Sequence, residues 1–181
     1  MERLYPAAWS IDFAEAVHAL YGDPEVVRHF EMDPIPDVTA QRDEIRAILG
    51  RNAMLPDGYG SWLLFERESD TLVGVVLLKP LPFSTGVDPA GTLESEIEVG
   101  WHLARAAWGK GYATEAGRAV VRYGFEQLHL DAIHAVVHPQ NEASKRVCAR
   151  VGLPAQGLTK RYYDRELEHF RLDRGVSVGH L

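Results

Sequence analysis

The sequence predicts an α+β sandwich on a central, mainly antiparallel sheet, and three patterns carry that prediction. Residues 96–103 alternate polar and apolar side chains, as a half-buried strand does. Across a two-glycine turn they give way to Ala116, Ala119, Val120, Tyr123, Gly124 and Leu128 at helical spacing. Residues 61–67 and 71–79 are strand-like runs around Glu68-Ser69-Asp70, and residues 158–163 and 166–172 repeat the arrangement around Asp164-Arg165, so two hairpins are expected. The first third is helical in period and broken by Pro and Gly.

In chain order, residues 3–8 read as a strand or lead-in. Ser10 offers a hydroxyl where a helix through Phe13, Ala16, Val17 and Leu20 needs an N-cap. Gly22-Asp23 interrupts that helix, and Pro24 suits the first turn of a short second one. Pro34, Pro36 and Asp37 fall in a loop, and Thr39 is expected to cap a helix carrying Ile45, Ile48 and Leu49 to near Asn52. Pro56-Asp57-Gly58-Tyr59-Gly60 leads into the first hairpin, and the Pro- and Gly-rich residues 80–91 separate it from the 96–103 strand. Residues 133–138 form another strand; the helix after it carries Val147, Cys148 and Val151 and stops at Gly152. With no repeat and no linker, residues 1–175 are expected to form one domain and 176–181 a short tail.

The stretch Trp108-Gly109-Lys110-Gly111-Tyr112-Ala113-Thr114-Glu115-Ala116 joins strand to helix. The first N–H groups of a helix have no carbonyl to reach and point outward at the positive end of its dipole, which favours a bound phosphate. Glycine lets the main chain approach an anion with no Cβ in the way. The turn is neither of the two common phosphate loops. The dinucleotide fingerprint needs glycine where Thr114 stands, and the P-loop needs Ser or Thr after its lysine, where Gly111 stands. A tight connection without a ligand is the plainer alternative.

Composition fits a small enzyme. A chain of 181 residues, 46% apolar, suffices for one core. No run is long and apolar enough to span a membrane, and the first residues lack a charged-then-apolar leader, so a cytoplasmic protein is expected. The single cysteine fits a reducing compartment. A net charge of −7 argues against nucleic-acid binding and is compatible with a cationic partner, although plain solubility explains it equally well.

Residues 108–116, with Asn141, Ser144 and Gly152 downstream, resemble the GNAT acyltransferase superfamily, most closely the branch that includes the ribosomal-protein N-terminal acetyltransferases. In that branch the turn reads Trp-Gly-Lys/Arg-Gly-Tyr-Ala-Thr-Glu-Ala, followed by Asn-x-x-Ser and a glycine. The resemblance spans residues 1–175 and implies an α/β/α sandwich whose sheet splays near the active site. It implies acetyl-coenzyme A as cosubstrate and no metal. The pyrophosphate would rest on the amides of Gly109, Gly111, Tyr112 and Ala113, with Lys110 and Thr114 beside them; Asn141 would meet the pantetheine arm. Ser144 would hydrogen-bond the leaving sulfur, and backbone N–H groups from Trp101 to Leu103 would face the thioester oxygen. The chain departs from the superfamily at Ala106, where Gln or Arg is common, and at Gln156, where some relatives carry a catalytic glutamate.

An N-acetyltransferase of this kind must deprotonate a primary amine, and a lysine-type amine of pKa about 10 is almost wholly charged near neutral pH. Glu94, Glu96 and Glu98 alternate along one strand, so their side chains share a face, and His102 falls on the same face. Glu98, nearest the turn, is the candidate base, with Glu96, His102 and Tyr163 as acceptor contacts. A solvated polar strand face is the ordinary alternative. No nucleophile for a covalent route is visible, so direct attack in a ternary complex is expected. Cys148 sits on an apolar helical stripe and reads as core, and His134 and His138 lack a third ligand for zinc. The acceptor is a protein N-terminus or a small-molecule amine, and a homodimer is compatible with the pattern. The rival reading is a coenzyme A-binding sensor or a protein-interaction module without turnover.

Overall fold

The computed structural model describes residues 1–30, 32–86 and 96–175. Glu94, residues 87–91 of the expected loop and the 176–181 tail lie outside the described residues. The elements run β1 (Leu4–Ala7), α1 (Ala14–Tyr21), α2 (Pro24–Val27), α3 (Val38–Ala53), β2 (Gly60–Glu66), β3 (Thr71–Pro80), β4 (Ile97–Leu103), α4 (Tyr112–Glu126), β5 (Ala132–Val137), α5 (Glu142–Val151), β6 (Ala155–Thr159) and β7 (Leu167–Asp173). Single 3₁₀ turns occupy Ile11–Phe13 and Arg105–Ala107. The strands form one open sheet in the order β1-β2-β3-β4-β5-β7-β6. β1 with β2, β5 with β7 and β6 with β7 are antiparallel, and β4 runs parallel to β5 with Glu98 opposite His134. The expected α+β class and mainly antiparallel sheet are therefore observed.

Contacts gather into two compact units, Met1–Leu77 with Trp101–Ala116, and Leu78–Gly100 with Gly117–Leu181. Their boundaries fall inside β3, β4 and α4, not in linkers.

In the first unit, α1 buries Ala14, Val17, Leu20 and Tyr21, one stripe at helical spacing, with Trp9, Val26, Val27, Ile45, Leu63, Phe65 and Val75 in the same core. Ser10 caps the 3₁₀ turn that leads into α1, accepting from the Asp12 N–H. Asp37, not Thr39, caps α3: its backbone is extended, and its Oδ1 accepts from the Ala40 N–H at 2.8 Å. The buried face of α3 is rotated from the expected one. Gln41 and Ile45 are fully buried, whereas Leu49 is 38% exposed. The first hairpin forms as expected, with Asp70 in the left-handed region at its turn and its N–H on the Glu66 carbonyl at 2.9 Å.

In the second unit, β5 presents Ile133, Ala135 and Val137 to the interior, and Phe170 and Leu172 of β7 are buried opposite them in the ladder. Gly124 of α4 allows a close approach, because a Cβ there would lie 2.7 Å from Ile133 Cδ1. Along α4, Val121 is buried and Tyr123 exposed, the reverse of a strict reading of the apolar pattern. α5 begins at Asn141 and ends at Gly152, whose φ of 94° lets its N–H turn back to the carbonyls of Cys148 and Ala149. The closing hairpin is looser than expected. β6 ends at Thr159, opposite Leu167, so residues 160–166 form a connection in place of a tight turn at Asp164-Arg165. That connection docks on residues 82–85: Tyr162 bridges Phe83, and the Thr85 N–H donates to Asp164 at 2.6 Å.

Candidate active site

The glycine turn is held open by backbone conformation and by a staple from the chain's first strand. Gly109 and Gly111 both adopt left-handed φ, 74° and 81°, which side-chain-bearing residues resist. The Glu115 N–H donates to the Gly111 carbonyl at 3.0 Å, the first intrahelical bond of α4. The N–H groups of Tyr112, Ala113 and Thr114 therefore precede that ladder. Arg3, which sequence reasoning missed, secures the turn. Its Nε pairs with Glu115 Oε2 at 2.8 Å, its Nη1 donates to the Lys110 carbonyl at 2.8 Å, and its guanidinium lies 4.8 Å from the Tyr112 ring centroid. Glu115 also accepts the Arg3 backbone N–H at 2.7 Å, and these bonds hold its carboxyl below the usual carboxylate range despite an opposing desolvation effect. The Tyr112 hydroxyl donates to Glu66. Lys110 stays exposed, its ammonium 6.0 Å from the same Tyr112 ring. The Leu103 carbonyl accepts the Trp108 indole N–H at 2.8 Å, which ties the end of β4 to the start of the turn. Arg105 is ion-paired with Asp23 at 3.1 Å.

His102 lies in this same unit with aromatic neighbours. Its Nδ1 shares a 2.8 Å hydrogen bond with the Tyr21 hydroxyl, and the Phe30 ring centroid is 4.2 Å away. Trp101 is half-buried.

In the second unit the carboxylates are not a solvated strand face. Glu98 is 6% exposed, and Ile97 and Val99 on either side are buried too. The Tyr163 hydroxyl donates to Glu98 Oε1, and Lys79 Nζ lies 3.2 Å from the same oxygen. Burial pushes the Glu98 carboxyl above the usual carboxylate range, against the opposing pull of the Lys79 charge and the Tyr163 hydrogen bond. Tyr163 reaches this position from a left-handed backbone, φ 58°. Burial, then the Glu98 charge, raise its own pKa, so it remains a protonated donor. Glu96, just before β4, accepts from the Tyr162 hydroxyl and pairs with Arg161 at 3.1 Å. His134 sits 4.0 Å from Glu96 and shares a 2.9 Å hydrogen bond with His169; burial lowers the His134 pKa to about 4 and pulls that of His169 down as well. Of the residues singled out from the sequence, Glu98 and Tyr163 are therefore in contact, and Lys79 and Arg161 are the cations beside Glu98 and Glu96.

Asn141 and Ser144 form one local unit: the Asn141 side-chain oxygen accepts the Ser144 N–H at 3.1 Å as the cap of α5. The carbonyl end of that amide accepts this bond, and Ser144 is half-buried in the first helical turn. Cys148 is fully buried, and burial pushes its thiol up to about 12, which suits packing and not nucleophilic attack. Gln156 is exposed, its amide on the Pro154 carbonyl. Among the described residues no group of three or more His, Cys, Asp or Glu is placed to hold a metal ion.

Known proteins match this architecture. The acetyltransferase (GNAT) domain model matches residues 3–154. The "Uncharacterized N-acetyltransferase p20" of Bacillus licheniformis is 28% identical over 162 residues, covering 89% of this chain and 84% of the relative. Among solved structures, spermidine N-acetyltransferase from Vibrio cholerae, in complex with coenzyme A and spermine, superposes with a TM-score of 0.71 at 15% identity, covering 96% of both chains. A ribosomal L7/L12 alpha-N-protein acetyltransferase in complex with coenzyme A gives 0.72 at 15% identity, covering 96% of this chain and 95% of that one. At such identities these two superpositions speak for the fold.

Proposed function

The chain belongs to the GNAT family of N-acetyltransferases, and from that premise we propose that it transfers an acetyl group from acetyl-coenzyme A to a primary amine by direct attack in a ternary complex. The observation that carries this reading is the stapled glycine turn, whose two left-handed glycines precede the first N–H groups of α4, which have no carbonyl within the helix to reach. Those donors suit a pyrophosphate: several N–H groups, a helix dipole and no intruding Cβ. When bound, acetyl-coenzyme A supplies an activated thioester. The residues of the chain do the rest. The amides from Gly109 to Thr114 bind the diphosphate, Asn141 orients the pantetheine arm, and backbone N–H groups from Trp101 to Leu103 face the thioester oxygen. Glu98 takes the amine proton, and Ser144 gives a hydrogen bond to the departing sulfur. Glu96, His102 and Tyr163 contact the acceptor. A serine hydroxyl is a weak acid, so its contribution is stabilisation by hydrogen bonding.

The first test is calorimetric titration with acetyl-coenzyme A, with desulfo-coenzyme A and NADPH alongside. It is followed by an acceptor panel of peptides with free α-amines, amino acids, polyamines and aminoglycosides. Saturable binding of the acetyl form but not NADPH, with transfer to a panel member, is the expected result. Binding without transfer to any amine would replace the enzyme with a coenzyme A-responsive module.

Two substitutions separate roles within this scheme. Ser144→Ala should lower kcat about tenfold, the size of one hydrogen bond made only as charge develops, with nearly unchanged cofactor affinity. A large affinity loss with normal turnover would remove Ser144 from the leaving-group role. Arg3→Ala should weaken acetyl-coenzyme A binding about tenfold while kcat stays close to wild type, because it loosens the turn and withdraws a nearby positive charge. Calorimetry beside steady-state kinetics distinguishes the two patterns.

A further inference from the structure

We propose that Lys79 is a positioning residue for the reaction: its ammonium and the Tyr163 hydroxyl together pin one oxygen of Glu98 and keep that carboxyl ionised, leaving the other oxygen to take the proton of the acceptor amine. This assignment rests on the reading of Glu98 as the general base.

The geometry is specific. Both contacts fall on Oε1 of Glu98, the Tyr163 hydroxyl as a hydrogen bond and Lys79 Nζ at 3.2 Å. Lys79 also donates to the Tyr163 hydroxyl oxygen at 3.3 Å and lies 5.7 Å from that ring's centroid, so the three groups close a triangle. Lys79 follows the buried run Val75, Val76, Leu77 and Leu78 of β3 and keeps a side chain 33% exposed, against 8% for Glu98. A carboxyl so buried tends to hold its proton and would then be useless as a base. A cation within hydrogen-bonding reach opposes that tendency, and the lysine itself stays partly solvated.

The other charged groups around Glu98 are already committed. Glu96, two residues earlier on β4, is paired with Arg161 and accepts from Tyr162. His134, opposite Glu98 on β5, is hydrogen-bonded to His169. The charge of Arg165, in the β6–β7 connection, pulls the Tyr163 pKa down against the larger raising effects of burial and Glu98. Lys79 is a cation in direct contact with Glu98.

Lys79→Met removes the charge and keeps the stem, and Lys79→Gln is a second neutral variant should the first fold poorly. Lys79→Arg restores a cation. In protein carrying ¹³C-labelled glutamate carboxyls, the Glu98 resonance is identified by its absence in Glu98→Gln and titrated in each variant. The pH dependence of kcat/KM is measured with the most active amine of the panel. The expected result is a Glu98 titration raised by about 1 pH unit or more in the neutral variants. The acidic limb of kcat/KM should move alkaline by the same amount, with both returned toward wild type by arginine. An unmoved Glu98 titration would overturn the role of Lys79 and leave the base reading intact. A titration that moves while the acidic limb stays in place would instead overturn Glu98 as the base, and the role of Lys79 in the reaction with it. The joint movement of the titration and the acidic limb does not follow from a merely structural lysine, whose removal would shift the titration of its ion-pair partner but leave the acidic limb in place.

Discussion

Gly111→Glu is expected to abolish saturable acetyl-coenzyme A binding in calorimetric titration. Two effects combine. Gly111 has a φ of 81°, and a side-chain-bearing residue held there is strained by about 1–2 kcal/mol. Its carbonyl accepts the first intrahelical bond of α4, so a distorted residue disturbs the N–H groups that follow. The larger effect is charge. A carboxylate at the mouth of α4 occupies the positive end of the dipole intended for the diphosphate and repels it, worth about 4 kcal/mol for unit charges 4 Å apart near a protein surface. Space is not the obstacle, since a Cβ at this position would meet only Arg3 Nη2, at 3.5 Å. The new carboxylate can pair with that same guanidinium, withdrawing a positive charge from the turn. Gly111→Ala separates the contributions: it keeps the strain, adds no charge and should bind with about tenfold lower affinity. Undiminished binding of acetyl-coenzyme A to Gly111→Glu would show that the turn does not hold the phosphates.

The glycine turn and the Gly152 stop were legible because each depends on residues adjacent in the chain. Local signals failed where two candidates compete or where a distant contact decides. Asp37 and Thr39 are both competent caps two residues apart, and the extended backbone at Asp37 selects the former. The tight turn expected at Asp164-Arg165 gives way to a longer connection because Phe83, Ser84 and Thr85 grip Tyr162 and Asp164. Arg3 was invisible as a part of the turn because its partner Glu115 lies 112 positions away. Alternation along β4 put Glu98 on a polar face, but alternation carries no information on depth. Glu98 is buried in contact with Lys79 and Tyr163, and neither residue has a sequence signal that pairs it with a carboxylate.

Glu98→Gln should lower kcat/KM at pH 7 by about 100-fold or more, the usual size of a lost general base, with little change in acetyl-coenzyme A affinity. The loss should shrink as the pH rises toward the acceptor's own pKa, where the amine is neutral without help, so the pH–rate profile shifts alkaline. Fold stability should move the other way. Burial raises the folded-state pKa of Glu98, so the folded protein holds this proton more tightly than the unfolded chain does. Its contribution therefore favours folding at low pH and is lost as pH rises from the ordinary glutamate pKa through the raised folded one; above that folded pKa the ionised, buried group is a net cost. Glutamine has no charge to desolvate and keeps an oxygen for the Tyr163 hydroxyl. Lys79, one-third exposed, can turn to water. Glu98→Gln should then melt no lower than wild type at pH 7 and lose the extra stabilisation that wild type gains on acidification. Impaired turnover in a protein of undiminished stability marks a residue used for chemistry, whereas an unchanged pH–rate profile would remove Glu98 as the base however much the activity falls.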